Sequence, residues 1–229
     1  MVKMIYGNSL WQLIKETDVI TKIVLILLVV MSIVCWAIFF YKLIMLRFKK
    51  QQLVEALDDL KQVSSLDMLL TLTTKHAKTS PGRFFSKVLV FLKSLFERQP
   101  GKRDLTDREC AYMENHIDQS VDEMIESEHA YMPVLSTSAA AAPLIGLFGT
   151  VWGLVHSFMR IHALQSADIT TVAPGIAEAL VTTLAGLFVA IPTLAMYSYL
   201  SSQIRSYEQS IIKLGDRVTF FVQQVCRSQ

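Results

Sequence analysis

The sequence is short of charge, and the charge it has is unevenly placed. Only 18% of its 229 residues are Asp, Glu, Lys or Arg, while 52% are hydrophobic. Three stretches, 23–41, 130–159 and 179–204, hold none of those four residue types. Each is long enough to cross a hydrocarbon core of about 30 Å as a helix rising about 1.5 Å per residue. That excludes an ordinary soluble enzyme, and so apolar a chain is not a disordered tail. Cysteine is scarce as well. Cys35, Cys110 and Cys226 are far apart, with no C-x-x-C spacing, which indicates neither a zinc site nor a redox pair. The three long apolar stretches also exclude a secreted disulfide scaffold. A cleaved leader is not expected, because the run that starts at Ile23 is long enough to span and leads into bulky residues and Lys42. The net charge of +2 comes with no basic stripe and no interleaved aromatics, so nucleic acid is not an expected partner. No nucleophile–base set, phosphate-cradling glycine loop or metal spacing is present, so neither an enzyme nor a cofactor is expected.

What is present reads as an all-α integral membrane protein with three transmembrane helices. Its segments are an amphipathic N-terminal stretch (1–22), a first span (23–45) and a helical domain (46–129). A second span (130–160), a short loop (161–171), a third span (172–200) and a helical tail (201–229) follow. Basic residues set the expected orientation. Arg47, Lys49 and Lys50 flank the first span, whereas the short 160–171 connection carries only Arg160. The positive-inside rule therefore puts 46–129 and the tail in the cytoplasm, and the N-terminus outside.

In the N-terminal stretch, Leu10, Trp11, Leu13 and Ile14 are apolar, while Lys15, Glu16 and Asp18 are polar. This suits an interfacial helix, capped by Asn8 or Ser9. In the middle domain, Leu53, Leu57, Leu60 and Val63 share a face, and Ser80-Pro81-Gly82 punctuates the chain. Phe84, Phe85, Val88, Leu89, Leu92, Leu95 and Phe96 form an apolar stripe that Pro100-Gly101 stops. Asp104 or Thr106 opens the next helix, where Met113, Ile117, Val121, Met124 and Ile125 share a face. That helix is expected to run directly into the second span. In the tail, Ile204, Tyr207, Ile211, Leu214, Val218, Phe221 and Val225 follow a 3-4 spacing, a heptad seam. The third span and the tail read as one helix of roughly 50 residues, about 75 Å long. Such a seam needs a partner helix, in the same subunit or in a neighbour.

The second and third spans differ from the first, which is rich in Leu, Ile and Val and reads as lipid-facing. They carry Gly146, Gly149, Gly153, Gly175 and Gly186, small residues that let membrane helices approach closely. Pro143 and Pro192 are tolerable there if protein or water satisfies the freed carbonyls. Glu178 is expensive in hydrocarbon, about 3 kcal/mol on insertion scales. It either faces the bundle interior or sits at the interface near a helix start. Thr150 lies ten residues inward of Arg160, about 15 Å, and Thr183 eleven inward of Val172, about 16 Å. Both hydroxyls thus reach a similar depth near the midplane. Two readings stay open, a polar lane below Glu178 or simple back-bonding of each threonine to its own helix. His156 reads as an interfacial group.

The run LIGLFGTVWGLVHSF (144–158), followed by VAPGIAEALVTTLAGLFVAIP (172–192), resembles the signature of the TolQ/ExbB/MotA proton-channel family, and within it the Tol branch most. The likeness takes in the first span and its lead-in (9–42) as well. The resemblance implies a homopentameric ring in the bacterial inner membrane, with the N-terminus periplasmic. It also implies a TolR-like single-span partner dimer in the pore, whose aspartate carries the proton, and a TolA-like periplasm-spanning protein. The implied task is outer-membrane integrity and constriction at division through the Tol-Pal system. In the family the threonine ending GLFGT, the glutamate of APGIAEAL and the threonine before AGL are associated with the pore. They match Thr150, Glu178 and Thr183. Thr182 departs from the pattern, since many relatives carry a small apolar residue there, so either Thr182 or Thr183 faces the lane. An ExbB-type energiser of TonB-dependent uptake and a passive membrane scaffold are the alternative readings.

Overall fold

The computed structural model describes residues 18–61, 66–97, 106–164 and 169–227. Six α-helices account for nearly all of them: α1 (Val19–Leu60), α2 (Leu66–Lys75), α3 (Ser80–Glu97), α4 (Asp107–His129), α5 (Met132–Leu164) and α6 (Ile169–Arg227). No strand occurs among the described residues. Among the described residues, three helices are long and apolar enough to cross a membrane. The proposed caps Asn8 and Ser9, with most of the N-terminal amphipathic stretch, lie outside the described residues, as do Val63, Pro100, Gly101 and Asp104.

The chain divides into two compact units, Met1–Phe40 with Tyr131–Tyr199, and Tyr41–Ala130 with Leu200–Gln229. The first unit packs the start of α1 against α5 and the first half of α6. Val24 and Leu28 meet Ala142, Val189 and Ala190, with Met31, Ile145 and Ala185 around them. The first span is thus exposed on one side only. Ile26, Val30 and Ile33 are exposed, whereas Thr21, Val24, Leu28 and Cys35 form a buried stripe. Helical periodicity explains the division, since residues three, four and seven apart share a face.

The second unit packs the remainder of α1, α2, α3, α4 and the tail of α6. The Phe84–Leu95 stripe of α3 is buried, as are Met113, Ile117 and Val121 of α4. Thr106 opens α4 through a capping box with Glu109. The heptad seam is buried along Ile204, Tyr207, Ile211, Leu214 and Val218. At its far end Val222 is buried and Phe221 only half so, because an undistorted helix drifts from a strict seven-residue repeat. Its partners lie in the same chain. Glu208, Gly215 and Gln223 of α6 meet His129, Val121 and Glu114 of α4, which makes the two helices antiparallel.

Two expectations are corrected. The helix that ends at His129 does not run into the second span. Tyr131 adopts φ 69°, and α5 starts afresh at Met132. A left-handed non-glycine residue costs roughly 1–2 kcal/mol. The end of α4 is held in place nonetheless: Lys42 Nζ donates to the Glu128 carbonyl at 2.6 Å and Lys49 Nζ to Glu128 Oε1 at 2.5 Å. The cysteine spacing was also misleading. Cys110 is disulfide-bonded, while Cys35 is a buried free thiol.

Candidate functional site

The site lies where α5 crosses α6 in the first unit. Two adjacent stripes of α5 build it. Ala142, Ile145, Gly149 and Trp152 recur at 3-4-3 spacing, and Ala142 and Ile145 pack with Val24 and Leu28 of α1. Gly146, Thr150, Gly153 and Ser157 recur at 4-3-4 spacing and face α6.

Glycine is required by the closeness of approach. A Cβ on Gly186 would stand 2.6 Å from the Ala142 carbonyl oxygen and 3.1 Å from Gly146 Cα. On Gly146 it would stand 2.9 Å from the Thr182 carbonyl oxygen, and on Gly149 2.7 Å from Thr182 Oγ1. On Gly153 it would meet the Ala179 methyl at 2.9 Å. A Cβ on Gly175 would meet Ser157 Oγ, further along the same α5–α6 packing. With backbones this near, carbonyls of one helix come within reach of side chains on the other.

Three hydroxyls exploit that reach. Thr150 Oγ1 donates to the Gly146 carbonyl at 3.2 Å or to the Ala179 carbonyl of α6 at 3.0 Å. Thr183 Oγ1 donates to the Gly146 carbonyl at 3.2 Å. Thr182 Oγ1 donates to Ala179 O at 2.7 Å or Gly146 O at 3.3 Å. Thr150 Oγ1 and Thr183 Oγ1 also hydrogen-bond each other across the interface. Each hydroxyl has one proton to donate and two lone pairs to accept. More acceptors are therefore within reach than three protons can serve at once, and several bonding patterns are open to the same side chains. Burial separates the three. Thr182 is 0% exposed, whereas Thr150 and Thr183 are half-buried. Glu178, half-buried, stands one turn before Thr182 on α6.

Thr150 and Thr182 each reach a carbonyl of their own helix and one of the facing helix. Sequence reasoning placed Thr150 and Thr183 at one depth but missed the acceptors, since a carbonyl carries no residue-type signal.

It also missed a contact at the other end of the α1–α5 packing. Asp18 precedes α1, its carbonyl accepting from Lys22 N–H at 3.1 Å and its Oδ1 from the adjacent Val19 N–H at 2.9 Å. Its Oδ2 accepts from the Trp152 indole N–H at 2.9 Å. The Trp152 bond, with help from Val19 N–H and the nearby His156 and Lys22, holds the Asp18 carboxyl below the usual carboxylate range despite partial desolvation. An Asp before an apolar run signals a cap, but nothing in sequence ties it to a residue 134 positions away.

Comparison with known proteins agrees with these features. Residues 78–212 match the model of the MotA/TolQ/ExbB proton channel family. The chain is 32% identical to the biopolymer transport protein ExbB of Salmonella typhimurium over 91% of its own length and 82% of that protein's. It is 30% identical to the Tol-Pal system protein TolQ of Haemophilus influenzae, over 89% of each. With TolQ of Pseudomonas aeruginosa the figure is 32%, over 86% of this chain and 84% of that one. The three apolar helices, the glycine-lined crossing and these likenesses together identify the chain as a member of the MotA/TolQ/ExbB proton channel family.

Proposed function

We propose that this chain is the ring-forming, proton-conducting subunit of a Tol-Pal-type motor in the bacterial inner membrane. In this reading α1, α5 and α6 cross the membrane with the N-terminus in the periplasm, as the basic cluster Arg47, Lys49 and Lys50 favours. Copies of the chain, five in the expected ring, surround a TolR-like single-span dimer. A proton gains about 2.3 kcal/mol in crossing 100 mV, so several protons drive one useful step. The movement passes to a TolA-like protein that reaches across the periplasm.

The observation that carries the reading is the bond between the Thr150 and Thr183 hydroxyls beside the Gly146 carbonyl that both reach. A hydroxyl can accept a proton on one lone pair while releasing its own, so a bonded pair passes charge without moving a heavy atom far. Thr150 and Thr183 keep partial exposure and are assigned to the lane. Thr182, buried beneath Gly149, is assigned to packing. Glu178, one turn nearer the periplasm, is the acid that exchanges protons with the lane.

A second reading is favoured by the ExbB relatives: the same machine energising TonB-dependent outer-membrane uptake. Native mass spectrometry of the complex, extracted from its own membranes, tests both. Five copies of this chain with two of a small single-span protein support the motor, and the sequence of that protein decides between the branches. A monomer, or a closed ring that never retains a partner, overturns the motor and leaves a passive scaffold.

A further inference from the structure

The Asp18–Trp152 bond lies outside the hydroxyl cluster, yet it is linked to the cluster by continuous packing. Trp152, Gly149, Ile145 and Ala142 form one stripe of α5. Asp18 is followed on α1 by Thr21, Val24 and Leu28, all buried. Val24 Cγ1 stands 3.2 Å from where a Cβ on Gly149 would be, and the same Cβ would stand 2.7 Å from Thr182 Oγ1. Gly149 is thus pressed between α1 and α6, and Thr150 is its immediate neighbour. Asp18 ends this stack: a single carboxylate with one oxygen on the first amide of α1 and the other on the α5 indole. A charged acceptor makes both bonds stronger than neutral ones.

We propose that Asp18 is a positioning residue for proton transfer. Its carboxylate sets the seating of α1 on Gly149 and so the approach of the Thr150 hydroxyl to Thr183. The proposal rests on the assignment of those two threonines to the lane. Interfaces this closely packed transmit a shift at one end of a stripe to the other, because neither backbone has room to absorb it. Asp18→Asn keeps the size of the side chain but leaves one acceptor oxygen for two donors. Trp152→Phe keeps the ring and removes the donor.

The test uses the complete complex of this chain with its native partner, reconstituted in liposomes. Proton flux under an imposed potential is read by a trapped pH dye. Three further readouts are thermal unfolding of the complex, the indole N–H resonance of Trp152 and the flux of Thr150→Val. Asp18→Asn and Trp152→Phe should each lower flux by about tenfold, as expected for a misplaced reacting group. The double variant should be no worse than either single one. The Trp152 resonance should move in Asp18→Asn, and flux should be lost at temperatures where the variant complex is still fully folded. Wild-type flux in either single variant overturns the proposal, as does a loss of flux that only tracks a loss of thermal stability, which marks a structural tether. If Thr150→Val abolishes flux while the Asp18 and Trp152 variants conduct normally, the positioning role alone falls. If Thr150→Val also conducts normally, the lane assignment falls with it.

Discussion

Thr150 on α5 and Thr183 on α6 hydrogen-bond through their Oγ1 atoms, and both reach the Gly146 carbonyl, each at 3.2 Å. They stand 33 residues apart in sequence and meet because four glycines of α5 and α6 remove every side chain that would hold the backbones apart. The hydroxyl pair is therefore a consequence of the glycine pattern, and changes to either should be felt in the other.

The glycine contacts differ in what they press against, and substitutions should differ accordingly. Gly186→Ala meets only backbone atoms, at 2.6 Å and 3.1 Å, and cannot be relieved by a rotamer change. It should destabilise the first unit by about 1–3 kcal/mol, seen as a lower unfolding temperature in detergent. Gly153→Ala meets the Ala179 methyl, so Ala179→Gly should restore most of what it loses.

Glu128 is 1% exposed and holds Lys49 through its carboxylate, with Lys42 on its carbonyl. Glu128→Gln keeps the shape and leaves the buried Lys42 and the half-buried Lys49 without a counter-charge. Breaking a buried pair in this way costs about 3–5 kcal/mol. Chemical denaturation of the purified protein should show the loss, and Lys49→Met in the same chain should recover part of it.

The seam of α6 offers a paired comparison. Ile211 is 0% exposed and Ile212 46%. Ile211→Ala should cost about 2–5 kcal/mol, and Ile212→Ala should lie within about 0.5 kcal/mol of wild type. Equal losses at the two positions would show that Ile212 is buried in solution.

Asp59 accepts from Lys75 and from the His76 ring, and those bonds, that from Lys75 first, hold its carboxyl below the usual range. A carboxyl depressed on folding adds stability above its unfolded value, about 4. That stability is lost as pH falls through the lower, folded value. Asp59→Asn should therefore be less stable than wild type at neutral pH, by a modest and salt-sensitive amount because the side chain is 29% exposed. The difference should vanish in acid, and melting curves across pH 2–8 (roughly the window set by these groups) check it.

Periodicity made much of this legible beforehand. The three apolar runs, the α3 stripe, the α4 face and the long α6 could all be read from spacing, because burial of one helix face leaves a 3.6-residue record. Equal depth for Thr150 and Thr183 followed from counting residues. The break at Tyr131 was hidden, because nothing marks a tyrosine as left-handed and the lysines that hold the preceding turn come from α1. The shared carbonyls of Gly146 and Ala179 were hidden for another reason: the backbone is the same at every position, and only the distance between helices makes one carbonyl an acceptor. Asp18 was read as part of a polar face, although it stands at the start of α1 and ties it to Trp152.

The central claim is that the Thr150–Thr183 pair carries protons. The most direct measurement is potential-driven proton flux through the reconstituted complex for Thr183→Ser and for the double variant Thr150→Val with Thr183→Val. The lane reading expects the serine variant to conduct, since it keeps the hydroxyl, and the double valine variant to lose flux by at least about a hundredfold, the usual contribution of a positioned proton-transfer group. Wild-type flux in a fully assembled double valine complex would contradict it and leave the three threonines as packing residues only.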